Sequence, residues 1–297
     1  MARVLITGAS GFIGRALVAA LAVDGVAVRG AYRGDAPAGV DAVRVGALGK
    51  QTDWRAALEG VDAVVHLASP AHAKFAEREL YAAIVDGTRA LVEQAQGAGV
   101  KRFIYVSSIK AVAARTQGAE AVDERQAPMP EDAYGRAKLA AEQIVLAHAA
   151  LNPVVLRPPL VHGPEAKANF ALLLRLAASP LPLPFADARN QRSVLSLQSF
   201  VGAARAVLKR PDGPSGVFHL ADQPALSTGA MLAAIRRGFG RAPGLFHAPM
   251  LDGFVPAALR ESLVVDDRAF RAAYEYAGEG DAAALLSETA RAWRAHA

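Results

Sequence analysis

Eight residues behind a short apolar run set the tightest limit on what this chain can fold into. Thr7-Gly8-Ala9-Ser10-Gly11-Phe12-Ile13-Gly14 follows Val4-Leu5-Ile6 and leads into Phe12 to Val23, where apolar residues recur at helical spacing. A strand that turns sharply into a helix on glycines spaced G-x-x-G-x-x-G is the phosphate turn of a dinucleotide-binding βαβ unit. Gly8 permits the turn, Gly11 lets the backbone approach a pyrophosphate, and Gly14 lets the helix lie close on the strand. Unpaired N–H groups of Ser10, Phe12 and Ile13, together with the positive end of the helix dipole, would face the phosphates. Three glycines also occur in turns that hold nothing, so by themselves they license a dinucleotide site and no more.

The rest of the first half keeps the same rhythm. Short apolar runs at Val26 to Tyr32, Val43 to Val45, Ala63 to Leu67, Phe103 to Ser107 and Val154 to Arg157 read as strands. Between them Trp54 to Leu58, Ala73 to Ala98 and Ala133 to Leu151 carry apolar residues at helical spacing. Alternation of this kind predicts an α/β fold, a doubly wound, parallel, Rossmann-like sheet covered on both faces. Beyond Arg157 the prolines at 158, 159, 164, 180, 182 and 184 break the chain into shorter pieces. Helices are expected at Ala166 to Ala178, Gln198 to Leu208 and Thr228 to Phe239. The division expected is a dinucleotide domain at 1–157 and a smaller C-terminal α/β substrate lobe at 158–297, with segments near 194–220 returning to the main domain, Phe218 to Leu220 as a strand.

Composition narrows the function classes. The 33 Lys and Arg against 28 Asp and Glu are spread along the chain without a basic run, which argues against nucleic acid as a partner. No cysteine is present, so neither a disulfide framework nor a thiolate metal site can form. The histidines, His66, His72, His148, His162, His219 and His247 among them, show no ligand spacing, and no metal is expected. His66 reads as a satisfied core residue, and Asp123-Glu124 and Asp266-Asp267 as loop charges or caps. No apolar stretch approaches the roughly 20 residues of a span, and the N-terminus lacks a signal peptide's long apolar region, so cytoplasm is the expected location.

At the end of the second predicted strand, where NAD-binding versions of such a fold place a carboxylate, the chain reads Gly30-Ala31-Tyr32-Arg33. Arg33 would pair with a 2′-phosphate, so NADP is expected, with NAD as the alternative if Arg33 is only a solvated strand-end charge. Tyr134 and Lys138 stand four apart at the start of a predicted helix and share a face. An ammonium beside the phenol is expected to lower its pKa and fit it for proton transfer while hydride passes to or from the cofactor. Ser107 and Ser108 close the fifth strand at the edge where open α/β sheets bind ligands, so Ser108 is the candidate for bonding the reacting oxygen.

These motifs in this order, with Asp62 to Ala68 (DAVVHLA), YVSSIK, YGRAK and LRPPLVHGP, resemble the extended short-chain dehydrogenase/reductase family across nearly the whole chain. The resemblance implies NAD(P) in the first domain, a nucleotide-sugar in the second, and a homodimer through Ala73 to Ala98 and Ala133 to Leu151. Carried over by motif, Ser108, Tyr134 and Lys138 match the family's catalytic triad, while Leu67, Ala68 and Pro158 match positions lining the cofactor. Ser107-Ser108-Ile109-Lys110, Lys167-Ala168-Asn169-Phe170 and Arg189 to Ser193 are similar to a bacterial branch of UDP-sugar epimerase-like enzymes. That likeness implies substrate contacts by Lys110, Asn169 and Arg192, the last two at a diphosphate. The chain departs from the pattern where Ile84 replaces an Asn, Ala47 an adenine-side Asp, and His162 a Tyr. Ile109 and Lys110 stand where sugar dehydratases carry an acid, so dehydration is disfavoured. Hydride transfer at C4 of a nucleotide-sugar, by an epimerase or a 4-keto-sugar reductase, is the leading expectation. Reduction of small aldehydes or ketones, or cofactor sensing without catalysis, is the alternative.

Overall fold

The structure is a computed structural model in which residues 3–34, 36, 40–70, 76–117, 120–166, 169–248 and 256–296 are described. Seven strands form one sheet: β1 (Arg3–Thr7), β2 (Ala27–Tyr32), β3 (Asp41–Arg44), β4 (Ala63–His66), β5 (Arg102–Val106), β7 (Val154–Arg157) and β10 (Gly216–His219), with β6 (Ala121–Val122), β8 (Leu160–His162) and β9 (Arg192–Ser196) lying outside it. Their order is β10-β7-β5-β4-β1-β2-β3, and every neighbouring pair is parallel. The strand order reverses between β1 and β4, which pair in register Thr7 with His66. Ligands of open α/β sheets sit in the crevice outside the carboxyl ends at such a reversal.

Both faces of the sheet are covered, which is why its central strands are continuous apolar runs. Helices α1 (Phe12–Val23), α7 (Leu197–Leu208) and α10 (Arg268–Tyr274) bury Leu17, Leu21, Phe200 and Phe270 against one face. On the other face lie α2 (Arg55–Leu58), α3 (Glu77–Tyr81), α4 (Gly87–Gly97) and α5 (Ala133–Ala147), which bury Leu58, Leu80, Leu91 and Val145. Between α3 and α4 the chain passes through one π-helical turn, Ala82–Asp86, with Ile84 at its centre and 1% exposed. The one long helix expected from Ala73 is thus a helix, a π turn and a second helix, and Ala73 lies outside the described residues. A π turn carries one extra residue per loop and is set by what the helix packs on, not by apolar periodicity.

A second core gathers α6 (Asn169–Ala178), α8 (Thr228–Gly238) and α11 (Ala282–His296) on a three-stranded sheet ordered β11-β9-β8, with β11 at Asp222–Leu226. Phe170, Leu174, Leu232 and Leu286 are its buried centre. A short parallel pair, β6 with β12 (Val264–Val265), and α9 (Ala257–Arg260) complete the described elements. Among the described residues no helix is long and apolar enough to cross a membrane.

Candidate active site

The glycine turn is built as its spacing implies, and two of its glycines cannot be replaced without movement. Gly8 adopts φ +68°, and a Cβ there would stand 3.0 Å from the Ala68 backbone. A Cβ on Gly14 would stand 2.2 Å from the Gly8 carbonyl oxygen. Gly11 caps α1 with extended backbone (ψ 168°) and no side-chain cap, and its N–H donates to Gly8 O at 2.9 Å. The first turn of α1 therefore presents backbone N–H groups of Phe12, Ile13 and Gly14 without a capping side chain, which is what an anion needs. Arg15 holds the loop from behind by donating to Ser10 O at 2.8 Å and pairing with Glu165.

Leu67 and Ala68 leave β4 beside this turn. Thr7 Oγ1 accepts from Ala68 N at 3.1 Å and bonds His66 Nδ1 at 2.7 Å, while His66 Nε2 meets Thr88 Oγ1 at 3.2 Å. His66 is thus a hydrogen-bonded core residue, and burial first, with the Lys138 charge second, pushes its pKa down to about 3. Pro158 is buried at the end of β7 and its carbonyl accepts from Ile109 N at 3.0 Å, which fixes the Ser108 turn on the sheet edge.

Tyr134 and Lys138 lie on the first turns of α5, whose N-cap Asp132 accepts from Gly135 N at 2.7 Å. Lys138 is 2% exposed, donates to Val106 O at 2.9 Å, and sits 5.7 Å from the Tyr134 ring centre and 4.9 Å from that of Tyr105. Ser69 lies near the Tyr134 hydroxyl and favours its ionised form slightly. One expectation is corrected here. Burial, with the nearby Asp132 carboxylate, pushes the Tyr134 pKa up to about 12 instead of down. The reason lies next to it: burial also drives Lys138 down to about 7, against the pull of Glu142, so the ammonium expected to stabilise a phenolate is only partly charged at neutral pH.

Ser108 caps the short 3₁₀ turn Ile109–Ala111, its Oγ accepting from Lys110 N at 3.3 Å, and is only half-buried. Ser107 is buried and donates to Glu142. Glu142, one helical turn beyond Lys138, is 1% exposed and takes two bonds from Arg157, at 3.0 and 2.5 Å. This buried pair lies on α5 and β7 beneath the site, and nothing in the spacing of Glu142 and Arg157 announces it. Gly135 was also missed: a Cβ there would stand 2.3 Å from Lys110 O, so only glycine lets the tyrosine helix lie directly on the serine turn. Asp132 had a legible signal, a helix-capping residue type just ahead of Ala133. Ser69 had none.

The remaining expected residues divide. Arg33 is exposed at the end of β2 and has no ion-pair partner among the described residues. Lys110 is exposed and pairs with Asp132, Nζ to Oδ2 at 2.7 Å. Arg192 opens β9 half-buried and donates to Glu261 O at 2.9 Å. Lys167 and the side chain of Asn169 lie outside the described residues. Ile84 packs in the apolar core next to which Tyr134 lies, and Ala47 is exposed with its carbonyl accepting from Thr52 at 3.0 Å. His162 is fully buried, bonded through Nδ1 to Thr289 Oγ1 at 3.0 Å and 5.3 Å from the Phe170 ring, so the residue standing where relatives carry Tyr belongs to the second core. A cleft of about 460 Å³ between α1, α7 and α11 contains none of the expected site residues. Among the described residues no cluster of three metal-ligating side chains exists.

Comparison with known proteins agrees with this geometry. The profile of the NAD dependent epimerase/dehydratase family matches residues 4–221. A UDP-glucose 4-epimerase of Vibrio cholerae is 36% identical over 248 residues, 77% of this chain and 73% of that protein. The crystal structure of a UDP-N-acetylglucosamine 4-epimerase from Bacillus cereus superposes with a TM-score of 0.83 at 22% identity, covering 99% of this chain and 100% of that one. MoeE5 in complex with UDP-glucose and NAD superposes with a TM-score of 0.80 at 25% identity, covering 99% of each chain. With a switch-point glycine turn on β1, a Tyr134/Lys138 pair on α5 and a family profile over most of its length, this chain belongs to the NAD dependent epimerase/dehydratase family and is an enzyme of the extended short-chain dehydrogenase/reductase type.

Proposed function

We propose that the chain carries out NAD(P)-dependent hydride transfer at C4 of a nucleotide-sugar, as a 4-epimerase or a 4-keto-sugar reductase. The observation that supports this reading is the pair on the first turns of α5, with Lys138 buried 5.7 Å from the Tyr134 ring centre. The names of the similar UDP-sugar 4-epimerases support the substrate class.

Bound in the crevice, the nicotinamide supplies the hydride acceptor or donor. The backbone N–H groups of Phe12, Ile13 and Gly14 would bind the pyrophosphate, with Leu67, Ala68 and Pro158 lining the rest of the crevice. Arg33, without an ion-pair partner among the described residues, would take a 2′-phosphate, which is the ground for NADP over NAD. At neutral pH Tyr134 holds its proton, being pushed up to about 12, and is set to donate it to a carbonyl oxygen as the ketone is reduced. The phenolate left by that donation would be held by the charged form of Lys138, and in the reverse direction that phenolate would take the substrate's hydroxyl proton. Ser108 would bond the same substrate oxygen. Lys110, Asn169 and Arg192 would serve the diphosphate or sugar. Residues 1–157 would hold the cofactor and most of 158–297 the sugar, with α7 and β10 returning to the main sheet. A homodimer through α3, α4 and α5 belongs to the same reading, and exposed Tyr81 lies on α3.

One observation favours the second reading, a reductase of small carbonyl compounds: the Arg192 guanidinium already donates to the Glu261 carbonyl. Incubation with NAD(H) or NADP(H) and a panel of UDP-sugars and simple ketones separates the two. Turnover of UDP-sugars that Tyr134→Phe abolishes supports the proposal. Turnover of ketones alone, or none that responds to Tyr134→Phe, refutes it.

A further inference from the structure

We propose that Asp132 is a positioning residue that ties the Ser108 turn to the tyrosine helix and, balanced by Lys110, tunes the proton affinity of Tyr134; this rests on the reading of Tyr134 as the proton carrier. Its carboxylate is shared between two elements. Oδ1 accepts from Gly135 N at 2.7 Å, the first turn of α5, and Oδ2 accepts from Lys110 Nζ at 2.7 Å, two residues past Ser108. The Lys110 carbonyl in turn lies where a Cβ on Gly135 would meet it at 2.3 Å, so the two elements touch backbone to backbone at the same place. Ser108 and Tyr134 come from segments 26 positions apart in the sequence, and this carboxylate bridges them.

The electrostatics follow from the same contacts. Burial pushes the Asp132 carboxyl up, but the hydrogen bonds from Lys110 and Gly135 outweigh it and hold it below the ordinary range, so it is charged at neutral pH. That charge raises the pKa of Tyr134 two residues on. Among the described residues the other groups facing Tyr134 are Lys138 on its own helix, Tyr105 from β5 and Ser69 beyond β4, with His66 behind Lys138. From α3, Glu77 pairs with Arg136, a couple of no net charge. Lys110, bonded to the Asp132 carboxylate, is the larger of the cations that offset it, with Arg136 the other.

Two substitutions in the holoenzyme should therefore act in opposite directions. Asp132→Asn keeps an oxygen for the Gly135 N–H but removes the negative charge, and Lys110→Met removes the positive charge and leaves the carboxylate. The pH at which oxidative kcat rises as Tyr134 ionises is expected to move down by about half a unit in Asp132→Asn and up by a similar amount in Lys110→Met. Ultraviolet titration of tyrosinate, each variant differenced against its Tyr134→Phe form, reads the same shifts without turnover. Opposite shifts in both measurements support the inference. Midpoints that stay put, or move the same way while kcat falls, reduce Asp132 to a helix cap and overturn it. Turnover that survives Tyr134→Phe removes the functional reading instead, and the absorbance titration then still decides whether the pair tunes the phenol.

Discussion

Gly14→Ala should weaken both the fold and the cofactor site. The new Cβ would stand 2.2 Å from the Gly8 carbonyl oxygen and 2.8 Å from the Ala9 Cα. An ordinary carbon–oxygen contact is about 3.3 Å, so α1 and the turn must part by roughly 1 Å. Both neighbours are backbone, and neither can swing aside as a side chain would. Overpacking of this kind costs about 1–3 kcal/mol, offset by up to about 1 kcal/mol because alanine is the better helix former. The net loss is about 1–2 kcal/mol, a fall of a few degrees in Tm for a chain of this size. Displacing the first turn of α1 also misaligns its N–H groups from the phosphates, for which at least tenfold weaker dinucleotide binding, about 1.4 kcal/mol, is expected. Calorimetric titration with NAD and NADP and a thermal melt measure both quantities. Gly97→Ala is the control: it closes α4, meets nothing within 4 Å, and should leave affinity unchanged while holding or raising Tm. Unchanged dinucleotide affinity in Gly14→Ala would refute the reasoning.

Other perturbations follow from the same structure. Lys138 titrates near 7 in the fold, below its ordinary 10.5, so between those values the unfolded chain binds more protons and stability rises with pH. Lys138→Met should accordingly abolish turnover yet stabilise the cofactor-free protein at pH 7 by about 2 kcal/mol, an advantage that vanishes toward pH 10, as melts across that range will show. Arg33→Ala should weaken NADP binding tenfold or more and leave NAD binding within about twofold, measured by titration with each; equal losses would remove Arg33 from the 2′-phosphate site. Glu142→Gln leaves Arg157 buried without its counter-charge and should cost about 3–5 kcal/mol in urea unfolding, part of which Arg157→Met restores in the double variant.

The sheet could be read in the sequence because its strands are short apolar runs ended by glycine or by polar helix starts. The bounds of α1 follow from Gly11 before it and Asp24-Gly25 after it. Of the small sheet, β9 follows Arg192 as a short apolar run, whereas β8 and β11 are obscured by Pro158, Pro159, Pro164 and Pro224, and the three strands pair with each other, not with the main sheet. Helix α11 is harder to read for another reason: its buried stripe, Ala282, Leu286 and Ala290, is mostly alanine, a residue type common all along this chain. At the site, spacing placed Tyr134 and Lys138 on one face, but spacing carries no information about desolvation. Burial is what moved both groups away from the expected ion pair. The need for Gly135 comes from the Lys110 carbonyl against it, and Ser69 comes near Tyr134 only through tertiary folding, neither of which spacing encodes.

Under the proposed function, hydride passes between C4 of a nucleotide-sugar and the nicotinamide while Tyr134 carries the proton. Single turnover with a UDP-sugar deuterated at C4 tests it directly, followed by mass spectrometry of the recovered nicotinamide. The account predicts deuterium on the nicotinamide ring, a primary isotope effect on its formation, and loss of both in Tyr134→Phe. Turnover in which no deuterium reaches the nicotinamide at any quench time and no isotope effect appears would contradict it.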